Sequence, residues 1–279
     1  MNQILKDLST PDLVRVLENN MFAFFTNYGH APHCQLNCGA NLIRFSTDIS
    51  FPFFNGVCCA QLQPDQTDAT ITETLNYFIA QQLPMFWWIG TATQPPDLGK
   101  YLEAHGLSNS GELPVMAIDL STLPEELFVL EDLAIAQVKD PETLKHWVRV
   151  AMVGFEIPDS EYNAYYDLEL SLGIDSKEYI RFIGWWNGLP VVTSALYLDS
   201  QVAGIYVVAT MPEARGKGFA KALVLTALHK AYTLGYHVAT LQASQMGVNI
   251  YRRIGFQEYS KIGAYLWTGQ LNPVSNNPS

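Results

Sequence analysis

Residues 203–235 carry an apolar run, "AGIYVVATM", then "PEARGKGF", then "AKALVLTALHKAYTLG". The first part reads as a strand, and the last has apolar residues at helical spacing and a glycine, Gly235, at its stop. The chain must therefore end a strand and start a helix inside "EARGKGFAKAL", residues 213–223. The first amides of a helix lack intrahelical acceptors, and the helix dipole adds positive potential there, so the junction is a potential anion site. Gly216 and Gly218 would let the backbone approach an anion without a Cβ in the way, and Arg215 and Lys217 would add charge. A solvated turn needs only one good cap. Nucleotide-loop spacings do not fit. Lys217 is followed by Gly218 rather than Ser or Thr, and Lys221 stands where the third glycine of G-x-G-x-x-G should be.

The surrounding order is that of an α/β chain. "LAIAQVKD" reads as a strand, and "PETLKHWVRVAMVGF" as a helix with Pro141 near its start. "DSEYNAYYDLELSLG" reads as a second helix, capped by Asp159 or Ser160 and stopped by Gly173. "YIRFIGWW" and "PVVTSALYL" flank Asn187-Gly188, a strong hairpin signal. After the junction come a strand, "YHVATLQAS", a short helix, "MGVNIYRRIG", and a final pair of short strands in "FQEYSKIGAYLWTG". Earlier, "LVRVLENNMFAFFTNYG", "ATITETLNYFIAQQL" and "PDLGKYLEAHGL" read as helices. "ANLIRFSTDI", "GVCCAQLQ", "PMFWWIGT" and "PVMAIDL" read as strands. "KYLEAHGL" and "NIYRRIGF" then lie over one another in a shared element order, which reads as a divergent internal duplication. Residues 119–132, with Pro124 and an acidic cluster, form a soft boundary.

The 279 residues hold 16 basic and 27 acidic side chains, a balance that argues against broad nucleic-acid binding. No apolar run is long enough for a membrane helix, and the N-terminus lacks a signal-peptide layout, so a cytoplasmic protein is expected. Cys34, Cys38, Cys58 and Cys59, with His30 and His33 nearby, could suggest zinc. Adjacent cysteines in a strand face opposite ways, so reduced thiols and no metal are expected.

The segment Arg215-Gly216-Lys217-Gly218-Phe219-Ala220, with Pro212 before it, resembles the R-x-x-G-x-[GA] pyrophosphate loop of the GNAT N-acetyltransferase superfamily. "LQASQMGVNIYRRIGF" resembles that family's segment of Tyr followed by Gly-Phe, and the likeness runs from about residue 128 to 268. It implies the acyl-CoA N-acyltransferase fold, a mixed central sheet flanked by helices, expected here as two tandem copies. The implied cosubstrate is acetyl-CoA. Its pantetheine would run along the backbone of Val208, Ala209 and Thr210, and its pyrophosphate would meet the amides of Arg215, Gly216, Lys217, Gly218, Phe219 and Ala220. Tyr251 matches the tyrosine that protonates the departing thiolate. Ser244 and Gly247 stand where relatives often carry Asn and Ala, so a contact of Ser244 with the cofactor would have shorter reach.

The implied activity is acetyl transfer to a primary amine of a small molecule or protein; the alternative is an acyl-CoA-binding sensor without catalysis. Many relatives use a glutamate base near the central strand. Here that strand has no carboxylate, and Tyr206, Glu156, Asp159, Glu169 and His237 are candidates without a motif behind any of them. Tyr162, Tyr165 and Tyr166, with nearby acids, would suit a cationic acceptor or else pack on the core. Only one of Trp185 and Trp186 could face a pocket. Residues 125–279 would be the catalytic GNAT domain. Residues 1–124 would be a degenerate copy, because "PDQTDAT" lacks the loop's glycines and cations and Leu102 stands at the tyrosine position. That copy would pack on the active half and could close the acceptor site. A homodimer is compatible with this reading.

Overall fold

The computed structural model describes residues 4–124, 130–199 and 201–269. The first half runs α1 (Leu13–Asn27), β1 (Gln35–Cys38), β2 (Ile43–Ser46), β3 (Gly56–Cys58), α2 (Thr67–Gln81), β4 (Met85–Ile89), α3 (Leu98–Ala104) and β5 (Ser108–Asp119). The second runs β6 (Leu133–Gln137), α4 (Pro141–Phe155), α5 (Tyr162–Ser171), β7 (Tyr179–Trp186), β8 (Leu189–Leu198), β9 (Ala203–Thr210), α6 (Phe219–Thr233), β10 (Val238–Gln242), α7 (Val248–Ile254) and β11 (Gln257–Trp267).

Local chemistry accounts for the boundaries. Asp140 caps α4 by accepting from the Thr143 amide at 2.8 Å, with Pro141 in the first turn, where its missing N–H is not needed. Asn187 and Gly188, at φ 52° and 76°, make the tight turn between β7 and β8. Two expectations need correction, and one strand has no counterpart in the sequence reading. Neither Asp159 nor Ser160 caps α5: a 3-10 turn, Asp159–Glu161, precedes it, and Asp159 instead accepts from Arg149 at 2.7 Å. The last segment is one bent strand, β11, whose register against β5 shifts twice, so its apolar pattern reads as two pieces. The polar β1 forms by pairing with β2, a tertiary cause that its sequence does not signal.

All eleven strands form a single sheet in the order β1-β2-β3-β4-β11-β5-β10-β9-β8-β7-β6. Its centre is a reciprocal exchange. β5, from the first half, pairs antiparallel with β10 of the second, while β11, from the second half, pairs antiparallel with β4 of the first. β5 and β11 also pair with each other. The sheet is therefore continuous across the boundary expected at 119–132, part of which, residues 125–129, lies outside the described residues.

Strand alternation splits the core into two faces. On β5, Val115 and Ala117 join α1, α4 and α5 on one face, while Met116 and Ile118 join α6 on the other. Trp88 joins the first face, and its neighbour Trp87 turns to α2 and α3. Helix α1 lies across the join. Tyr206 on β9 donates to Asn20 Oδ1 at 2.6 Å, and Ser260 on β11 donates to Glu18 Oε1 at 2.8 Å. Gly204 accommodates this crossing, because a Cβ there would collide with the Asn20 side chain. Among the described residues, no helix is long and apolar enough to cross a membrane.

Candidate active site

Strands β9 and β10 are parallel but stay paired only at Ala203–Ala239 and Gly204–Thr240. Beyond those pairs they diverge. β10 remains beside β5, where the Ala243 amide donates to Pro114 O at 3.0 Å. β9 follows β8 through a bulge that leaves Val207 and Val208 without partners in the register. Val207 holds φ 49°, a conformation costly for a β-branched residue. The Thr193 hydroxyl donates to Val207 O at 2.9 Å and so helps to fix the bulge. The result is a cleft whose β9 wall, Val208, Ala209 and Thr210, has no partner on β10, although Ala209 and Thr210 still pair with β8. Helix α4 packs tightly behind it: a Cβ on Gly154 would meet Ala209 Cβ at 2.5 Å.

At the carboxyl end of β9 the chain turns into α6 through Arg215, Gly216, Lys217 and Gly218, all exposed, followed by buried Phe219 and half-buried Ala220. Gly216 and Gly218 have φ 77° and 83°, the left-handed region that favours glycine. Among the described residues, no atom lies within 4 Å of a Cβ built on Gly216, and only Leu130 Cδ1, at 3.8 Å, approaches one on Gly218. The Arg215 amide donates to Pro212 O at 3.3 Å, and beyond it the two glycines leave the backbone accessible among the described residues, as an anion cradle requires. Arg215 Nε donates to Thr210 O at 3.3 Å, and Lys217 Nζ sits 4.8 Å over the Trp186 ring, which itself packs on Phe219. These contacts tie both cations to the strand end.

Tyr251, on α7, stands on the far side of the cleft. Its ring lies against Gly247, where a Cβ would meet Cε2 at 2.9 Å. Burial pushes its phenol up to about 12, so it is a proton donor at neutral pH. Ser244 Oγ accepts from the Gly247 amide at 3.1 Å, which fixes the turn into α7. Tyr251, Ser244, Val207 and Val208 together line the mouth of a cavity of about 210 Å³. Its walls are aromatic, and the first half supplies Phe24, Tyr28, Phe54 and Trp88.

A family model described as "Acetyltransferase (GNAT) domain" matches residues 140–259. Residues 140–259 therefore match the GNAT acetyltransferase superfamily. Solved structures share the fold over nearly the whole chain. A GCN5-related N-acetyltransferase from Kribbella flavida is 17% identical, with TM-score 0.68 over 90% of this chain and 94% of that one. One from Sphaerobacter thermophilus is 15% identical, with TM-score 0.62 over 85% and 84%. A tandem GNAT protein from the clavulanic acid biosynthesis pathway is 11% identical, with TM-score 0.55 over 87% and 86%. None of the curated proteins matches the sequence.

The first half repeats the bulge of the GNAT domain but not its cleft. Cys59 follows β3 at φ 58°, three residues after Gly56, as Val207 follows Gly204. Because β3 ends at Cys58 and the backbone turns there, the two thiols hydrogen-bond each other instead of facing opposite ways. Beyond this point the strands are zipped together. The Gln94 amide donates to Ala60 O and the Leu62 amide to Gln94 O, both at 2.9 Å. Leu102, at the place of Tyr251, is buried in the apolar cluster of α2 and α3.

The carboxylates considered as bases stand elsewhere. Buried Glu169 accepts from Arg181 Nε at 2.6 Å and from the Tyr179 hydroxyl at 3.3 Å. Glu156 ends α4 on the surface, Asp159 binds Arg149, and His237 lies against Tyr232. None of them lines the cavity. Of the three helix tyrosines only Tyr165 reaches it; Tyr162 and Tyr166 stack on each other, with Arg149 over Tyr162. Trp185 meets His146, and neither it nor Trp186 faces the cavity. Sequence reading missed Val207 and Gln242. A strand-like "VVAT" does not announce a bulge, and Gln242 has no motif.

Proposed function

We propose that the chain is an N-acetyltransferase that transfers the acetyl group of acetyl-CoA to a primary amine by direct attack on the thioester. The observation that carries this reading is the joining of three features at one cleft: the splay of β9 from β10, the bare glycine loop at the head of α6, and Tyr251 opposite. The GNAT family uses acyl-CoA, and the open loop fits a pyrophosphate.

Acetyl-CoA supplies an activated acyl carbon and a thiolate leaving group. The backbone of residues 208–210 would hold the pantetheine as a neighbouring strand would, and the amides of residues 216–220 would hold the pyrophosphate, the Arg215 amide being taken by Pro212 O. The bulge at Val207 and Val208 frees backbone amides next to the cavity mouth, where they can donate to a developing oxyanion. Tyr251 would give its proton to the departing sulfur. The phenolate is disfavoured by burial, so Tyr251 would regain a proton as the attacking nitrogen loses one. The alternative, a sensor that binds acyl-CoA without turnover, draws support from the cavity's lining, in which the described residues include no carboxylate or imidazole.

The test is release of free CoA from acetyl-CoA with a panel of amines, beside acetyl-CoA binding by calorimetry. Turnover with any amine supports the enzyme. Tight binding with no turnover on any amine supports the sensor.

A further inference from the structure

The cavity beyond Tyr251 has an unusual lining for a site that would receive an amine. Its titratable groups are four phenols: Tyr28 after α1, Tyr165 on α5, Tyr206 on β9 and Tyr251 on α7. Burial raises all four, so none is a base at neutral pH. Among the described residues, no Asp, Glu, His, Lys or Arg lines it. The remaining walls are apolar, and they include Met21, Phe53, Leu113 and Phe155.

Besides the exposed Ser244, one polar side chain breaks this pattern. Gln242, the last residue of β10, lines the cavity, and its buried Nε2 has no hydrogen-bond partner among the described residues. A buried donor left unpaired costs about 1–3 kcal/mol. The chain retains that cost at the end of β10, past the last pair with β9 and on the cavity wall. A ligand carrying an acceptor atom would relieve it.

These features bear on what can react there. An ammonium ion would have to shed water without gaining a carboxylate, and the unpaired donor would repel it. Aromatic walls alone can hold a cation, but here the one orphan polar atom favours an acceptor. An amine that is neutral at working pH, or is neutralised on entry, needs no base for its attack. A volume of about 210 Å³ also exceeds the roughly 150 Å³ apolar cavity known to take benzene.

We propose that this cavity binds an apolar, aromatic-sized group of the acyl acceptor, with a hydrogen-bond acceptor of that group on Gln242 Nε2. The substrate class is then a hydrophobic amine rather than a polyamine, an amino sugar or a lysine side chain. The proposal rests on the acetyltransferase reading. It makes Gln242 a specificity residue and the first half a wall of the substrate site.

The test compares 2-phenylethylamine and tyramine with putrescine and glucosamine, using acetyl-CoA as donor and thermal shift as a separate measure of amine binding. The aromatic amines should exceed the others in kcat/KM by at least about tenfold, taking a net burial gain of roughly 1.5–3 kcal/mol per apolar side chain as guide. Gln242→Leu should cost tyramine roughly tenfold, a hydrogen bond's worth, with acetyl-CoA affinity unchanged. Leu113→Trp should fill the cavity and abolish the thermal shift given by aromatic amines while acetyl-CoA still binds. A preference for putrescine or glucosamine overturns the proposal, as does an undiminished aromatic-amine shift in Leu113→Trp. It is also overturned if benzoyl-CoA binds more tightly than acetyl-CoA and loses that advantage in Leu113→Trp, because the cavity would then serve the acyl group. Loss of acetyl-CoA binding in the wild type would sink the acetyltransferase reading instead; the amine shifts would still decide the cavity.

Discussion

The Phe24 ring lies 4.1 Å from the Tyr206 ring and within 3° of parallel, so a residue of α1 in the first half stacks on the bulged strand of the second. Tyr206 also donates to Asn20, one helical turn before Phe24. Helix α1 is thereby a wall of the candidate site. Phe24→Ala should cost about 3–5 kcal/mol of stability through the cavity it leaves. Turnover should fall more than acetyl-CoA affinity, because the pyrophosphate loop is distant in the chain. Urea denaturation and steady-state kinetics check the two parts.

Tyr251→Phe should lower kcat by about 10²–10⁴, the usual worth of a positioned general acid. The acetyl-CoA Kd should be unchanged by calorimetry. Because the folded phenol sits at about 12, the wild-type rate should show no alkaline loss from Tyr251 between pH 7 and 10. The sign for stability is the reverse of a favourable pairing. Above the unfolded value of about 10, the unfolded chain has lost this proton and the folded chain has kept it, so stability falls as pH rises from there. Tyr251→Phe should lessen that fall in denaturation at pH 11.

Gly218→Glu should abolish acetyl-CoA binding, since it places a side chain and negative charge where the pyrophosphate would sit. Gly218→Ala separates strain from charge. At φ 83° it should cost about 1–2 kcal/mol in stability, but leave measurable binding in calorimetry.

The Glu169–Arg181 pair is structural. Each guanidinium nitrogen is engaged, with Arg181 Nε on Glu169 Oε2 at 2.6 Å, and Nη1 on Gly173 O and Nη2 on Glu169 O, each at 2.9 Å. Arg181→Met alone should cost about 3–5 kcal/mol, because it leaves a buried carboxylate without its partner. The double change Glu169→Met with Arg181→Met should recover much of that loss. Thermal unfolding of the three proteins checks the order.

The parts legible in the sequence are those that local chemistry dictates. Gly216 and Gly218 declare left-handed backbone, Asn187-Gly188 declares a hairpin, and Tyr251 stands at a fixed distance along the chain from the loop. What could not be read depends on partners remote in sequence. The exchange of β5 and β11 is set by pairing across the halves, and no local pattern names a strand's neighbour. The cavity has the same origin: Tyr165 is one of three helix tyrosines until Phe54 and Tyr28 arrive beside it. Gln242 acquires meaning only once β9 has left β10.

The central claim is that one cleft, between β9 and β10, takes the cosubstrate, while its counterpart beside β3 is zipped shut through Gln94. Native mass spectrometry of the full chain with acetyl-CoA counts bound molecules directly. The account predicts one per chain and none in Gly218→Glu. Two per chain, or one that survives Gly218→Glu, would contradict it.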